Sequence, residues 1–349
     1  MAEIEKVVLV ALTTTSAGTQ NITQKLVEEV SDFRNDSILF LGSHIFGETL
    51  KSNKNIRIVK YAQFWLFRLF FEFFILPRFL RKYKATKVIC LANFLLTIRL
   101  RRVQKIVLVR HPYLFENNLE FLPTLSQIKE FLRKIIFKLT LYDTDMLVCQ
   151  TNHMKELYLK TNFKKVKVTI IPNPLSKSLT KKTNKIITNN NTFLYPSRYY
   201  KHKNHEFIIN FVKDNFEFCE QNQIKFILTI AGDEMDGYNK SKFIDYIGEI
   251  SQTDLNHLYD DVLGIVFPSN LETFGNGLIE GAYKNLPIVV PDLPYAKTIL
   301  KEQGYYYFQN DFKSFQNQLS QIIKSRDQPK YQIKFLVGTE DWIDAIIKG

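Results

Sequence analysis

The sequence predicts an α/β protein made of two Rossmann-like domains that face each other across a cleft. Short β-branched and apolar runs alternate with longer stretches of helical periodicity. The runs are apolar on both faces, as the strands of a buried parallel sheet are. About eleven runs are present, which is more than one compact sheet of this kind holds, and a polar stretch divides them. Because open α/β sheets bind ligands beyond the carboxyl ends of their strands, we expect a ligand in the cleft.

Most of the predicted strands lie in the first half of the chain. Those of the first half are residues 7–12, 37–41, 56–59, 87–92, 105–109, 146–150 and 168–172. Those of the second half are residues 192–196, 226–231, 263–267 and 287–291. Helical patterns between them include residues 21–30, 205–216 and 277–285. Such alternation predicts right-handed βαβ units and doubly wound parallel sheets.

Residues 171–191 predict a linker, because they are polar, carry two prolines and show no periodicity. The expected organisation is therefore an N-terminal domain over 1–173, a C-terminal domain over 174–325 and a final helix within 326–349. Trp342 lies on the apolar side of that helix, which we expect to pack back towards the N-terminal domain.

The composition argues against several other classes of protein. Cys90, Cys149 and Cys219 are too few and too scattered for a disulfide framework or a zinc site, so we expect a reducing, cytoplasmic setting. No signal peptide is visible before the first predicted strand. The most apolar later stretch, residues 64–77, is interrupted by two charges and a proline and is too short to span a bilayer.

The net charge of +12 is concentrated in the first half of the chain. Residues 1–180 hold 28 basic and 14 acidic side chains, whereas the remaining residues hold 19 and 21. This asymmetry indicates that one half meets an anionic partner, which could be a membrane surface, a nucleic acid or a phosphorylated substrate. A basic surface that only keeps the protein soluble is the alternative that charge alone leaves open.

The most specific pattern in the chain is S-N-L-E-T-F-G-N-G-L-I-E-G, residues 269–281. Glu272 follows a predicted strand, and a glycine-rich turn leads into a helix that is predicted to begin near Leu278 and to hold Glu280 in its first turn. Backbone N–H groups at a helix start lack intrahelical partners and favour phosphate or sugar hydroxyls. The glycines allow a ligand to approach the backbone closely. A carboxylate can accept two hydroxyls at once, which suits a ribose diol, although either glutamate alone could be an ordinary acid.

A second loop supplies positive charge. Arg198 and Lys203 lie just past the predicted strand 192–196. Two cations at this spacing could bind a diphosphate, the arginine through its planar fork and the lysine as a point charge. Read in isolation, the loop could equally be a solvated basic surface.

Together these patterns resemble the donor domain of a retaining GT-B glycosyltransferase of family four, glycosyltransferase group 1. Members share a Glu, seven residues, Glu pattern, which Glu272 and Glu280 match, and an Arg and a Lys five residues apart, which Arg198 and Lys203 match. Three further segments resemble this family: A-G-D-E at 231–234, residues 256–259, and L-P-I-V-V-P-D-L-P-Y at 286–295, the last typical of bacterial surface-polysaccharide members. The resemblance covers about 150 residues of the second half.

The first half matches the family more loosely. Members usually carry a Gly-Gly loop after the first strand, whereas this chain offers the single Gly18. A histidine after a later strand often faces the donor sugar, and V-R-H-P supplies His111, which alone would be an ordinary loop histidine. The resemblance makes the N-terminal domain the acceptor-binding domain and the C-terminal domain the nucleotide-sugar domain.

The resemblance also implies a mechanism. A UDP- or GDP-sugar would donate a hexose-type sugar with retention of its anomeric configuration, without a metal or another cofactor. Arg198 and Lys203 would neutralise the leaving diphosphate, Glu272 and His111 would act at the sugar, and Glu280 would hold the ribose. The remaining donor-binding residues would be Phe274, Gly275, Asn276, Gly277, Leu278, Gly232 and Gly18. D-T-D at 143–145 superficially matches a metal motif of another glycosyltransferase fold, but it precedes a predicted strand, at the wrong end for the cleft.

The acceptor implied by the resemblance is a glycan on a lipid diphosphate carrier, in capsule, O-antigen or related polysaccharide synthesis. The aromatic stretch 61–84 and the basic stretch 125–140 could contact an anionic membrane from its cytoplasmic face or pack the core. The rival functions are a nucleic-acid-binding protein, suggested by charge alone, a GT-B enzyme of another activity such as an epimerase or phosphorylase, and a catalytically silent scaffold. No known nucleic-acid-binding motif organises the basic residues, so we expect no nucleic-acid partner.

Overall fold

The computed structural model describes residues 6–12, 38–43, 56–59, 64–97, 100, 102–116, 122–175, 179, 190–234, 241–326, 329–332, 336–337 and 339–348. The chain divides into two compact units. Unit 1 comprises residues 1–174 and 336–349, and unit 2 comprises residues 175–335. The predicted helix at 21–30 and the site residue Gly18 lie outside the described residues, as does most of the predicted linker.

Unit 1 contains a seven-stranded parallel sheet. Its strands are β1 (Val7–Ala11), β2 (Ile38–Ser43), β3 (Ile56–Val59), β4 (Lys87–Cys90), β5 (Gln104–Leu108), β6 (Met146–Cys149) and β7 (Lys167–Ile170), in the spatial order β3-β2-β1-β4-β5-β6-β7. A short pair, β8 (Pro174–Leu175) and β15 (Leu336–Val337), forms a separate two-stranded sheet. Seven strands were predicted here, and all seven are present with ends shifted by at most two residues.

The helices of unit 1 lie on both faces of its sheet. Among the described residues they are α1 (Trp65–Phe70), a π-helical turn (Phe71–Ile75), α2 (Leu76–Tyr83), a 3₁₀ turn (Pro112–Leu114), α3 (Thr124–Thr140), α4 (Asn152–Lys160) and α11 (Thr339–Lys348). Phe71, Leu76 and Leu80 share one apolar cluster with Phe137 and Leu141, so the segment 65–83 and α3 cover the same face. The opposite face is covered by α11, whose Trp342 and Ile346 share an apolar cluster with alternate residues of β1, β2, β4, β5 and β6.

Unit 2 contains a six-stranded parallel sheet. Its strands are β9 (Asn191–Tyr195), β10 (Ile224–Leu228), β11 (Ile244–Tyr246), β12 (Gly264–Val266), β13 (Ile288–Pro291) and β14 (Tyr305–Tyr307), in the spatial order β11-β10-β9-β12-β13-β14. The sequence predicted four of these strands. It missed β11 and β14, which are three residues long and carry aspartate or tyrosine where buried strands usually carry aliphatic residues.

The helices of unit 2 complete its doubly wound arrangement. They are α5 (His205–Asp214), α6 (Phe216–Gln221), α7 (Gln252–Asp261), α8 (Asn276–Tyr283), α9 (Pro294–Leu300) and α10 (Phe312–Ser325), with 3₁₀ turns at Lys201–Lys203, Gly232–Glu234 and Lys301–Gln303. A single apolar cluster fills the unit, and its centre holds a group of aromatic rings, Phe207, Phe211, Phe226 and Phe315 among them. Over the described part of the chain, no helix combines the length and apolar character needed to cross a bilayer.

Candidate active site

The strand order of unit 2 reverses at its centre. From β9 the chain runs outward through β10 and β11, then returns to β12 on the other side of β9 and runs outward through β13 and β14. At such a switch point the loops after the two central strands diverge and leave a crevice for a ligand. The loop after β9 carries Arg198 and Lys203, and the loop after β12 carries Glu272. The two halves of the predicted site therefore stand at the switch point of one sheet.

The two loops are tied to each other by hydrogen bonds. The backbone N–H of Asn270 donates to the carbonyl of His202 at 2.8 Å, and the hydroxyl of Ser269 donates to the same carbonyl at 3.3 Å. Two buried tyrosines hold the loops from beneath, since Tyr195 donates to the carbonyl of Lys203 at 2.7 Å and Tyr295 donates to that of Ser269 at 2.6 Å. The loops are thus held by rigid elements below the crevice.

Lys203 and Glu272 form the ion pair that joins the loops. Nζ of Lys203 lies 2.5 Å from Oε1 of Glu272, and their side chains are 17% and 7% exposed. The ammonium also lies 5.6 Å from the centre of the Phe267 ring, within the range of a cation–π contact. Burial, reinforced by the charge of Glu272, raises the pKa of Tyr195 and of Tyr295 well above the ordinary value, so both hydroxyls remain donors.

Helix α8 begins directly beyond these loops. Gly275 precedes it with φ +70°, a left-handed conformation that favours glycine, and as the N-cap residue it has no side chain with which to cap the helix. The first backbone bond of the helix runs from the N–H of Ile279 to the carbonyl of Gly275 at 3.0 Å. The N–H groups of residues 276–278 therefore precede the hydrogen-bonded ladder, which is the arrangement that binds anions at helix starts.

Several predicted donor-binding residues can offer a ligand only their backbone. The side chains of Phe274 and Leu278 are buried in the apolar cluster of unit 2, at 5% and 0% exposure. Gly277 also has a packing role that was not predicted, since a Cβ there would lie 2.7 Å from Cγ and 2.9 Å from the carbonyl oxygen of Pro196. Its lack of a side chain lets α8 approach the end of β9, whereas the sequence had suggested room for a ligand.

Glu280 lies in the second turn of α8, and its predicted place in the first turn is wrong. The helix begins at Asn276, two residues earlier than predicted, because the left-handed Gly275 turns the chain into it directly. The hydroxyl of Tyr259, in α7, donates to Oε2 of Glu280 at 2.8 Å. Burial and the nearby carboxylate raise the pKa of Tyr259 well above its ordinary value, so the hydroxyl stays protonated and remains a hydrogen-bond donor. The bond uses one of about four lone-pair positions of a carboxylate and orients the others.

Arg198 has a partner that the sequence analysis missed. Its guanidinium forms an ion pair with Glu249, which follows β11, and the two side chains are 37% and 65% exposed. Gly232 opens the 3₁₀ turn after β10, where the backbone N–H of Ala231 donates to Glu234 at 3.1 Å. Glu249 gave no signal in the sequence, because the short strand before it was not recognised. The structure thus joins Lys203 directly to Glu272 and gives Arg198 and Glu280 separate partners at the same edge of the sheet.

His111 lies in unit 1, three residues after β5. Its Nε2 contacts the guanidinium of Arg133 and lies 3.5 Å from Oε2 of Glu130. Burial, together with the charge of Arg133, lowers the pKa of His111 to about 3. The imidazole is therefore neutral at physiological pH.

Both aspartates of the D-T-D segment bind Lys105. Nζ of Lys105 lies 2.7 Å from Asp143, and the backbone N–H of Lys105 donates to Asp145 at 2.8 Å. Both aspartates precede β6, at the amino edge of the sheet, as predicted. Within the described residues, no three His, Cys, Asp or Glu side chains are grouped as a metal ion would require.

Comparison with known proteins finds a family match over the residues that form this site. Residues 176–335 match the family described as glycosyl transferases group 1. The O-antigen chain mannosyltransferase RfbU of Salmonella typhimurium is 26% identical over 263 residues, which cover 72% of this chain and 69% of RfbU. The serotype-specific mannosyltransferase WbdA of Escherichia coli is 38% identical over 69 residues, which cover 20% of this chain and 8% of WbdA.

Solved structures extend the likeness to nearly the whole chain. Sucrose-phosphate synthase of Thermosynechococcus elongatus superposes with a TM-score of 0.69 at 13% identity, covering 94% of this chain and 92% of that one. Anabaena HepE, solved in complex with UDP and glucose, superposes with a TM-score of 0.66 at 11% identity and with the same coverage of both chains. These likenesses confirm the predicted GT-B class of fold. The match of residues 176–335 to the glycosyl transferases group 1, together with the GT-B fold and the likeness to RfbU, supports a glycosyltransferase.

Proposed function

We propose that the protein is a retaining, metal-independent hexosyltransferase that uses a UDP- or GDP-sugar and extends a lipid-linked glycan in cell-surface polysaccharide synthesis. The observation that carries the proposal is the buried Lys203–Glu272 pair at the switch point of unit 2, beside the uncapped start of α8. The names of the relatives support the pathway, since RfbU is described as an O-antigen chain mannosyltransferase. Hexose donors, mannose donors first, are therefore the ones to test.

The cations of the site suit a diphosphate leaving group. The Arg198–Glu249 pair is solvent-exposed, so it contributes little stability and a phosphate group can take the place of Glu249. Lys203 is held more firmly by Glu272, and it supplies a positive charge that is already desolvated. Charges fixed in a partly dry site stabilise a developing negative charge more strongly than the same charges in water. These residues therefore provide the charge neutralisation that a metal ion would otherwise supply.

The two glutamates have different tasks. Glu272 is nearly buried, so its negative charge lies where it can stabilise the positive charge that grows on the sugar ring in the transition state. Glu280 is oriented by Tyr259, and its carboxylate accepts the ribose hydroxyls. Because a donor phosphate oxygen can take up the acceptor proton from the same face, retention requires no separate base.

Nucleotide binding and sugar transfer test the proposal in sequence. UDP and GDP are titrated against the full chain, because a ligand that binds only the folded state raises the unfolding temperature. GDP-mannose, UDP-glucose, UDP-galactose and UDP-N-acetylglucosamine are then assayed with a lipid-linked glycan fraction, and the anomeric configuration of the product is determined by NMR. We expect one nucleotide to stabilise the fold, Glu280→Gln to weaken its binding, and activity to persist in excess EDTA. An inverted product would refute retention, EDTA inhibition would refute metal independence, and no effect of either nucleotide would refute the function.

We also propose that unit 1 contacts an anionic membrane. Along the segment 64–75, the exposed apolar side chains are Phe64, Leu66, Phe70, Phe73, Phe74 and Ile75. Along α3 they are Leu125, Ile128, Phe131, Leu132, Ile135 and Leu139. We call these twelve side chains the apolar surface of unit 1. Phe71, Leu76 and Leu80 of the stretch 64–84 and Phe137 of α3 are buried in the main cluster of unit 1, and Phe67, Phe79 and Tyr83 pack against it while partly buried.

Charge supports a lipid partner for this surface. The exposed basic side chains on α3 and on the residues that directly follow the segment 64–75 are Arg78, Arg81, Lys82, Lys84, Lys129 and Lys138. Apolar side chains flanked by cations fit the interface of an anionic bilayer, where the rings enter the acyl boundary and the cations meet the headgroups. An apolar surface of this size is unusual for a protein that contacts only water.

Vesicle co-sedimentation tests the membrane contact. The wild-type chain is compared with Phe74→Glu/Phe131→Glu on phosphatidylcholine vesicles with and without phosphatidylglycerol. We expect the wild type to sediment with the anionic vesicles and the double variant to remain in solution. Phe308→Glu is the control, because Phe308 is 69% exposed in unit 2. Equal sedimentation of all three proteins would overturn the proposal.

The rival function, nucleic-acid binding, predicts a different response to the same charges. Binding of random duplex DNA would weaken steeply with salt in proportion to the phosphates contacted. We expect no such binding at physiological salt, because the basic residues of unit 1 flank an apolar surface.

A further inference from the structure

Two buried hydrogen-bond donors lie without acceptors at the carboxyl end of β5, in unit 1. They are Nη1 of Arg110 and Nδ1 of His111, and neither has a hydrogen-bond partner among the described residues. The state of His111 follows from its neighbour, because the Arg133 guanidinium can only donate. Nε2 of the neutral ring is therefore the acceptor, and Nδ1 carries the proton. The described part of the chain offers neither group an acceptor. Consecutive residues of extended backbone point to opposite faces of a sheet, and Arg110 follows Ile106 and Leu108 on the face away from His111.

Gln150 adds a third unpartnered polar group at the same edge. Leu108 of β5 and Val148 of β6 are register partners in the parallel sheet. The pairing continues past the strand ends, since the N–H of Val109 donates to the carbonyl of Val148 at 3.0 Å. Arg110 and Gln150 each follow these partners by two residues, so their backbones stand side by side. Oε1 of Gln150 is buried and has no donor within the described part of the chain. The side-chain amide can present its N–H₂ instead, because the two assignments of an amide are interchangeable.

Such an arrangement calls for a ligand. A buried donor that is left unbonded costs stability, and a charged one costs more than a neutral one. Burial lowers the pKa of Arg110 to about 10, so the guanidinium still carries its charge at physiological pH. Unsatisfied groups that follow neighbouring parallel strands at their carboxyl ends lie where such sheets bind ligands. A ligand that satisfies a cation and a neutral N–H together is an anion with several oxygens.

We propose that Arg110, with Gln150, binds a phosphoryl group of the acceptor. The inference rests on the proposed function, in which the acceptor is carried on a lipid diphosphate. The planar fork of an arginine fits a phosphate by two parallel hydrogen bonds, and the Gln150 amide supplies a neutral N–H for a further oxygen. The other source of this chemistry is the diphosphate of the nucleotide. We assign the acceptor because Arg110 belongs to unit 1, whereas Arg198, Lys203 and the start of α8 belong to unit 2.

Calorimetric titration of the full chain tests the assignment without relying on turnover. The probes are farnesyl diphosphate, farnesol as its neutral counterpart, UDP and GDP, all in the same detergent. The variant is Arg110→Gln, and Arg110→Lys retains the charge without the fork. Arg102→Gln is the matched control, because it removes the same charge from an exposed position before the amino end of β5. Unfolding temperatures show that each variant is folded, and Arg110→Lys replaces Arg110→Gln if the latter is not.

We expect the wild type to bind farnesyl diphosphate more tightly than farnesol. Arg110→Gln should raise the Kd for farnesyl diphosphate by about tenfold or more, as loss of a charged hydrogen bond does. The affinity of Arg110→Lys for farnesyl diphosphate should lie between those of the wild type and Arg110→Gln, and that of Arg102→Gln should equal the wild-type value. Nucleotide binding should be the same in all four proteins.

Equal affinity of wild type and Arg110→Gln for farnesyl diphosphate would overturn the proposal. Loss of UDP or GDP binding in Arg110→Gln would assign the anion to the donor and overturn the acceptor assignment. Failure of the proposed function itself would show separately, as a wild type that binds neither nucleotide.

Discussion

Replacing Lys203 by methionine separates the stability of the site from its chemistry. Methionine fills a similar volume, but it leaves the Glu272 carboxylate without its cation at 7% exposure. Removing one partner of a buried ion pair costs about 3–5 kcal/mol, because the remaining charge is uncompensated. Lys203 itself is 17% exposed, so water can partly replace it and we expect about 3 kcal/mol, the lower end of that range. For a unit of 161 residues, this corresponds to a fall in the unfolding temperature of roughly 6–12 °C.

Two further variants make the measurement decisive. Lys201→Met is the control, because Lys201 lies in the same 3₁₀ turn and pairs with Glu206 in an exposed bridge, whose loss should cost less than about 1 kcal/mol. Lys203→Met/Glu272→Gln removes both charges, so it should recover most of the lost stability while remaining inactive. Thermal unfolding without ligand and sugar-transfer rates are measured for each protein. The reasoning is refuted if Lys203→Met loses no more stability than Lys201→Met, or if the double variant recovers none.

Three other variants test separate parts of unit 2. Gly277→Ala should destabilise it by about 1–3 kcal/mol in denaturant unfolding, because the new methyl would lie 2.7 Å from Cγ of Pro196. Tyr259→Phe removes the hydroxyl that orients Glu280, so the KM for the donor should rise more than kcat falls; an unchanged KM would contradict the ribose-binding role. Burial lowers the pKa of His205 to about 4, so below about pH 6.5 the unfolded chain takes up a proton that the folded one does not, and stability should fall as pH drops from 6.5 to 4 by at most about 1.4 kcal/mol per pH unit. His205→Gln should flatten that dependence, and an identical pH profile would contradict the shift.

The sequence identified the regular parts of both sheets and the loops that carry the site. Buried parallel strands are continuous apolar runs, so their positions are visible without knowledge of their neighbours. Lys203 and Glu272 follow two such runs, and their proximity follows from the switch point between those strands. The start of α8 was harder to place, because the left-handed conformation of Gly275 is a property of the folded turn.

The partners of the site residues could not be predicted in the same way. Glu249 and Tyr259 reach Arg198 and Glu280 only through tertiary packing, and nothing local in the sequence specifies these contacts. The aromatic segment posed a different difficulty, since hydrophobicity alone does not distinguish a core face from an exposed one. The π-helical turn at Phe71–Ile75 alters the usual helical spacing, so helical periodicity across 64–83 does not tell which phenylalanines face the core.

The placement of α11 bears on how the protein is made. Trp342 and Ile346 complete one of the two apolar clusters of unit 1, yet in chain order they follow the whole of unit 2. During synthesis the ribosome therefore releases every residue of unit 2 before it releases the last helix of unit 1. Domains usually complete their folding in the order in which they are synthesised, whereas here the second unit can finish while the first still exposes an open sheet face. A chaperone that protects nascent chains would therefore bind the open sheet face of unit 1, most of which is synthesised before unit 2.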